Sequence, residues 1–98
     1  MPPPTSQDFM NELNNIFLDF NKIHSYQGAI VTIPSYVDVI SGGLHRRLGH
    51  YPGPDHRMPI CCNVMKQCMQ SGDFIISQPP KGQGASLTIR YQLPRTLC

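Results

Sequence analysis

Between residues 45 and 68 the sequence HRRLGHYPGPDHRMPICCNVMKQC brings His45, His50, His56, Cys61, Cys62 and Cys68 into one short stretch. Imidazole and thiolate are the ordinary ligands of zinc, so the stretch raises the question of a metal. Its spacing answers against one. There is no CxxC knuckle and no HxxxH pair. Adjacent Cys61 and Cys62 would project about 100° apart on a helix, which keeps both off a single ion. Cys61 and Cys68 fall on an apolar face, where cysteine behaves as a small hydrophobe. A mixed set of His50, His56 and Cys62 comes nearest to a site; the expectation is no metal and no cofactor.

Hydrolytic chemistry fares no better. Asp55 and Asp73 are the only acids after residue 44, so no paired carboxylates stand ready to hold magnesium. The glycines of GQGAS precede a strand and not a helix, unlike a phosphate-cradling loop. Cys62 with His56 would make a thiol–imidazole pair without a third group to orient it. The chain is therefore expected not to be an enzyme.

Charge is distributed unevenly. Residues 1–44 hold Lys22 against Asp8, Glu12, Asp19 and Asp38, one base against four acids, a formal −3. Residues 45–98 hold Arg46, Arg47, Arg57, Lys66, Lys81, Arg90 and Arg95 against Asp55 and Asp73, seven against two, a formal +5. The second half is thus the side for an anionic partner. Four cysteines at 61, 62, 68 and 98, with no export signal at MPPPTSQDFMNEL, lead to the expectation of an intracellular protein with reduced thiols. No apolar run approaches the roughly 20 residues that span a bilayer, so no membrane is expected.

These side chains must be positioned by a small set of elements. Ninety-eight residues make one domain, read as a disordered start at 1–5 and a folded unit at 6–95. Phe9, Leu13, Ile16, Phe17 and Phe20 recur at helical spacing behind a Thr5 or Ser6 cap, predicting a helix that ends near Lys22 to Ser25. Ala29 to Ile33 reads as a brief strand between Gly28 and Pro34. Pro34 suits the first turn of a second helix, PSYVDVISGGLHRRLG, with Tyr36, Val37, Ile40 and Leu44 on one face and Gly42 and Gly43 as weak points. After the Pro-rich turn HYPGPDHR, a third helix is expected over about 59–70. Its apolar side would carry Ile60, Cys61, Val64, Met65, Cys68 and Met69, and its polar side Cys62, Asn63, Lys66, Gln67 and Gln70. A strand at 73–77, a loop at 78–85 and a strand at 86–93 close the chain. In the last, Leu87, Ile89 and Tyr91 alternate with Thr88, Arg90 and Gln92, as in a half-buried strand.

The order helix, short strand, helix, turn, helix, strand, loop, strand resembles the winged helix-turn-helix fold, an α+β architecture, over about residues 6–93. The connection at about 49–58 is longer than that family's tight turn. The resemblance implies that the third helix is a recognition helix and that QPPKGQGA is the wing, with Lys81 at its tip meeting a phosphate. Asn63, Gln67 and Gln70 offer amides that can bond adenine in a major groove. Lys66, Arg57, Arg46, Arg47 and Arg90 would meet phosphates. The resemblance thus implies a small DNA-binding protein, a transcription regulator or targeting module, whose partner is double-stranded DNA. The alternative is a winged-helix adaptor that binds a protein partner or a second copy of itself. His50, Tyr51, His56 and Arg57, on a proline-stiffened loop, are further candidates for a contact surface.

Overall fold

The computed structural model describes residues 2–24 and 35–98. The elements are α1 (Ser6–His24), β1 (Tyr36–Ile40), α2 (Ser41–Leu48), α3 (Met58–Gln67), β2 (Phe74–Ser77) and β3 (Thr88–Gln92). Among the described residues this is a small α+β domain of three helices and a three-stranded sheet. The sheet is antiparallel throughout, in the order β1-β3-β2.

α1 forms where its periodicity predicts. Thr5 and Asp8 cap it reciprocally. The Asp8 N–H donates to Thr5 Oγ1 at 3.2 Å and the Thr5 N–H to Asp8 Oδ2 at 2.8 Å, closing two of the helix's orphan donors. Phe9, Leu13, Ile16 and Phe17 are buried, and they meet Val64 and Met65 of α3 and Ile89 and Tyr91 of β3 in one core. Ahead of the cap, Pro4 is itself buried.

The second helix departs from expectation. Tyr36–Ile40 is not its first turn but strand β1, paired with β3 from Tyr36↔Gln92 to Ile40↔Thr88. The segment YVDVI alternates and is rich in β-branched residues, which favour a pleated surface over a helix. α2 therefore begins at Ser41. The expected strand at Ala29 to Ile33 lies outside the described residues.

Gly42 does not break α2; it sits in its first turn because a backbone must pass close by. A Cβ there would lie 3.0 Å from the Ala85 carbonyl oxygen. The Gly42 N–H donates to that oxygen at 2.9 Å and the Ser41 N–H to Leu87 O at 2.8 Å. The loop joining β2 and β3, residues 78–87, thus supplies the acceptors that the start of α2 lacks.

α3 also ends earlier than expected, at Gln67, with Cys68 as its cap residue and Gln70 beyond it. Its last carbonyls are taken by long-range donors. Tyr91 Oη–H donates to Met65 O at 2.7 Å and Arg95 Nη2 to Cys68 O at 2.9 Å. The C-terminal segment that brings Arg95 is also covalently tied. Cys68 and Cys98 form a disulfide with Cα atoms 5.2 Å apart. This corrects the expectation of reduced thiols: the tail returns to the end of α3, a neighbourhood that sequence separation does not reveal. No helix among the described residues is long and apolar enough to cross a membrane.

Candidate nucleic-acid interface

α3 presents the polar stripe that its sequence implies. Asn63 and Gln67 are exposed and Lys66 half-buried, while Cys61, Val64 and Met65 on the other side are buried. Cys62 departs from the expected pattern. Helical spacing puts it on the polar side, yet it is fully buried, because the 78–87 loop lies over it. Its thiol donates to Gly84 O at 3.3 Å and accepts from the Gly84 N–H at 3.4 Å.

Two further contacts clamp the loop to this helix. Lys66 Nζ donates to Gly82 O at 2.7 Å, and Gln83 Nε2 donates to Asn63 Oδ1 at 3.0 Å. The loop needs glycine to make the approach. Gly82 has a φ of +76° and Gly84 one of +155°, and a Cβ on Gly84 would sit 2.9 Å from Pro79 Cγ. Lys81, next to these contacts in the chain, is exposed. Helix face and loop therefore form one surface carrying Asn63, Lys66, Gln67, Lys81 and Gln83, and residues 56–72 and 74–98 contain no acid.

The clamp alters what individual side chains can do. Asn63 spends one of the two lone pairs of its carbonyl oxygen on Gln83, so a bidentate bond to adenine would compete with that contact for its orientation. The Gln67 amide bonds no other described residue and keeps donor and acceptor together. Lys66 uses one of three N–H donors on Gly82 O and retains its charge.

Other candidates lie elsewhere. Gln70 bonds Thr96 both ways, its Nε2 donating to Thr96 O and its Oε1 accepting from Thr96 Oγ1, each at 3.2 Å. Arg47 pairs with Glu12 at 2.7 Å. Arg90 sits on the outer face of the sheet, opposite the helices. There it pairs with Asp38 through two bonds of 2.8 and 2.9 Å and lies 3.8 Å from the centre of the Tyr36 ring. The Arg90 guanidinium holds the Asp38 carboxyl below its usual range. Both arginines are thus neutralised by partners. Arg46 is exposed, its guanidinium 5.4 Å from the Tyr51 ring centre. Arg57 donates from Nη1 to the carbonyls of Asp55 and His56 at 3.4 and 3.3 Å.

His45 and His56 have separate backbone partners. His45 is wholly buried, with Nδ1 3.0 Å from Gly49 O and Nε2 accepting from the Arg57 N–H at 2.8 Å. That pair of partners fixes the neutral Nδ1–H tautomer. His56 Nδ1 accepts from the Met58 N–H at 3.3 Å. Cys61 donates to Ser41 O at 3.5 Å, and burial pushes its thiol up to about 12. Among the described residues no three of His, Cys, Asp and Glu converge on a point.

A cleft of about 360 Å³ opens between the Pro-rich turn and the loop, lined by Tyr51, His56, Met58, Pro59, Lys81 and Gln83 among others. It adjoins the helix–loop surface through Lys81 and Gln83. No pattern in the sequence signals it, because the loop's return onto α3 is what makes its far wall.

Comparison with family models, with curated proteins and with solved structures finds no match to this chain.

Proposed function

We propose that this chain is a winged helix-turn-helix domain that binds double-stranded DNA without catalysing a reaction. In this reading α3 lies in the major groove and the 78–87 loop is the wing. The observation that carries it is the clamp of the wing onto the polar face of α3, which joins exposed amides and two lysines into one surface free of its own acids. The order α1-β1-α2-α3-β2-β3 and the strand order β1-β3-β2 agree with that fold. Lys81 and Lys66 neutralise phosphates, and Gln67, whose amide bonds no other described residue, reads a base edge. Arg46 and Arg57 add charge near the turn; Arg47 and Arg90 are left out, since each already has a carboxylate.

Fluorescence anisotropy with a random duplex at several salt concentrations tests the reading. Binding should weaken steeply as salt rises, because neutralised phosphates release counterions. Lys81→Ala should lower affinity alike on every duplex and flatten the log–log salt slope by about 1. Gln67→Ala should cost about 1–3 kcal/mol on a selected site and little on random DNA. Absence of duplex binding even at low salt removes the proposal and leaves the protein-adaptor reading in its place.

A further inference from the structure

The cleft between the Pro-rich turn and the 78–87 loop has walls that suit one kind of occupant. Every residue of its lining belongs to the described segment 35–98. Its volume of about 360 Å³ lies at the small end of ligand sites, which run from about 300 to 1,000 Å³. That is room for one nucleotide and not for a run of them. Met58 and Pro59 give apolar contact, and Tyr51 and His56 give two aromatic rings. The ring centres lie 6.1 Å apart and the planes cross at 87°. A flat ring parallel to one is therefore edge-on to the other, and aromatic systems favour both contacts. The rings are held in place before anything binds. Tyr51 packs on the buried His45 at 5.4 Å, and His56 Nδ1 accepts from the Met58 N–H, which puts the ring proton on Nε2 as a donor. Lys81 carries the one formal charge of the lining, and no carboxylate lines the cleft among the described residues. Gln83 spends an amide N–H on Asn63, and its Oε1 bonds no other described residue.

We propose that this cleft receives one unpaired base of the bound nucleic acid, with the neighbouring phosphate on Lys81, so that the preferred partner is a duplex bearing a single-stranded extension. This occupancy presupposes the duplex reading above and specifies which duplex. Two observations select a tethered base over a free aromatic molecule. Lys81 and Gln83 belong both to the cleft and to the helix–loop surface, so a strand lying on that surface reaches the cleft with its charge already matched. The lining also holds a single cation and no buried polar side chain, whereas a site for a free ligand needs placed polar groups to fix its orientation. A base on a bound strand needs none, because the strand positions it and raises its effective concentration. A paired base is barred, since its faces are covered within the stack. An unpaired one offers the flat face that aromatic side chains take up with little regard to sequence.

Fluorescence anisotropy on one duplex, blunt or carrying a short unpaired extension of either polarity, measures the preference. For at least one polarity the extended duplex should bind about tenfold tighter than the blunt one, the size of one stacked base. Tyr51→Leu and His56→Leu each keep an apolar wall but remove a ring, and each should bring the ratio of the two affinities towards one. The fluorescent base 2-aminopurine, placed in the extension, should be quenched on binding the native protein and should recover with either variant. Equal binding of blunt and extended duplexes by the native protein, or a preference that survives both substitutions, overturns the proposal and leaves the duplex reading standing. Failure to bind either duplex overturns both. Should a variant fail to fold by circular dichroism, the native protein decides: an extension that is preferred and quenched upholds the proposal, and one that stays bright overturns it.

Discussion

At the scale of single residues, His45, Cys61 and Cys62, whose types invite a metal, are each engaged with backbone groups. His45 bridges α2 to the start of α3 by accepting the Arg57 N–H, and its ring packs edge-on against Phe9 at 5.0 Å. Cys61 and Cys62 each hold a backbone that arrives from far along the chain, Ser41 for one and Gly84 for the other. None of this is legible from spacing. A thiol's role as a backbone partner depends on which loop reaches it, and 22 residues separate Cys62 from Gly84. The consequence for reactivity can be measured. Both thiols are buried, and that of Cys61 is raised to about 12, so at pH 8 it stays protonated and unreactive. A disulfide-exchange dye should titrate no thiol in the native protein at that pH and two after denaturation without reductant. Rapid reaction of either cysteine in the folded state would show that the 78–87 loop opens freely.

Among the elements, α1 and β3 are readable because each carries one strong period, 3.6 or 2, over its whole length. β1 reads as helix because Tyr36, Val37, Ile40 and Leu44 also fit a helical face, and the adjoining SGGLHRRL is helical. The two periods overlap at the junction. What separates them is the partner: Asp38 of β1 faces Arg90 of β3 in register, and no local pattern announces that match. This pair makes a pH prediction. Asp38 is lowered first by its hydrogen bond from Arg90, with burial opposing and charge attraction assisting. Its folded value thus lies below its unfolded one. The stabilisation is present above the ordinary carboxylate range and is lost as pH falls through the lowered folded value. Asp38→Asn should reduce the melting temperature at neutral pH, and the gap from the parent should close on acidification through that window. A gap that stays constant with pH would assign the effect to packing against Tyr36 instead.

For the molecule as a whole, the least legible feature is how its C-terminal segment closes the fold. Asn14 bonds both the N–H and the carbonyl of Cys98, and Asn21 bonds both those of Arg95. Arg95 reaches inward between Phe17 and Tyr91 to meet both carboxylate oxygens of Asp73 at 3.0 and 2.9 Å. Asp73 in turn accepts the N–H groups of Gln70 and Gln92, each at 2.7 Å. In sequence Arg95 looks like one more surface base; in the fold it is a buried linchpin, and the basic excess available to a partner is smaller by that charge. The disulfide Cys68–Cys98 acts on the same segment, closing a loop of 30 residues. Two single losses can be compared. Cys98→Ser frees the unfolded chain and should cost about 2–4 kcal/mol in a urea melt without reductant. Asp73→Ala strands a buried guanidinium and should cost about 3–5 kcal/mol. Because both ties hold residues 93–98 in place, the losses should not add. Once Cys98→Ser has let the segment leave, Arg95 reaches water and the absence of Asp73 matters less. The double variant should therefore lose clearly less than the sum. Strict additivity would mean that Arg95 stays buried without the disulfide, anchored by Asn21 and its two aromatic neighbours alone.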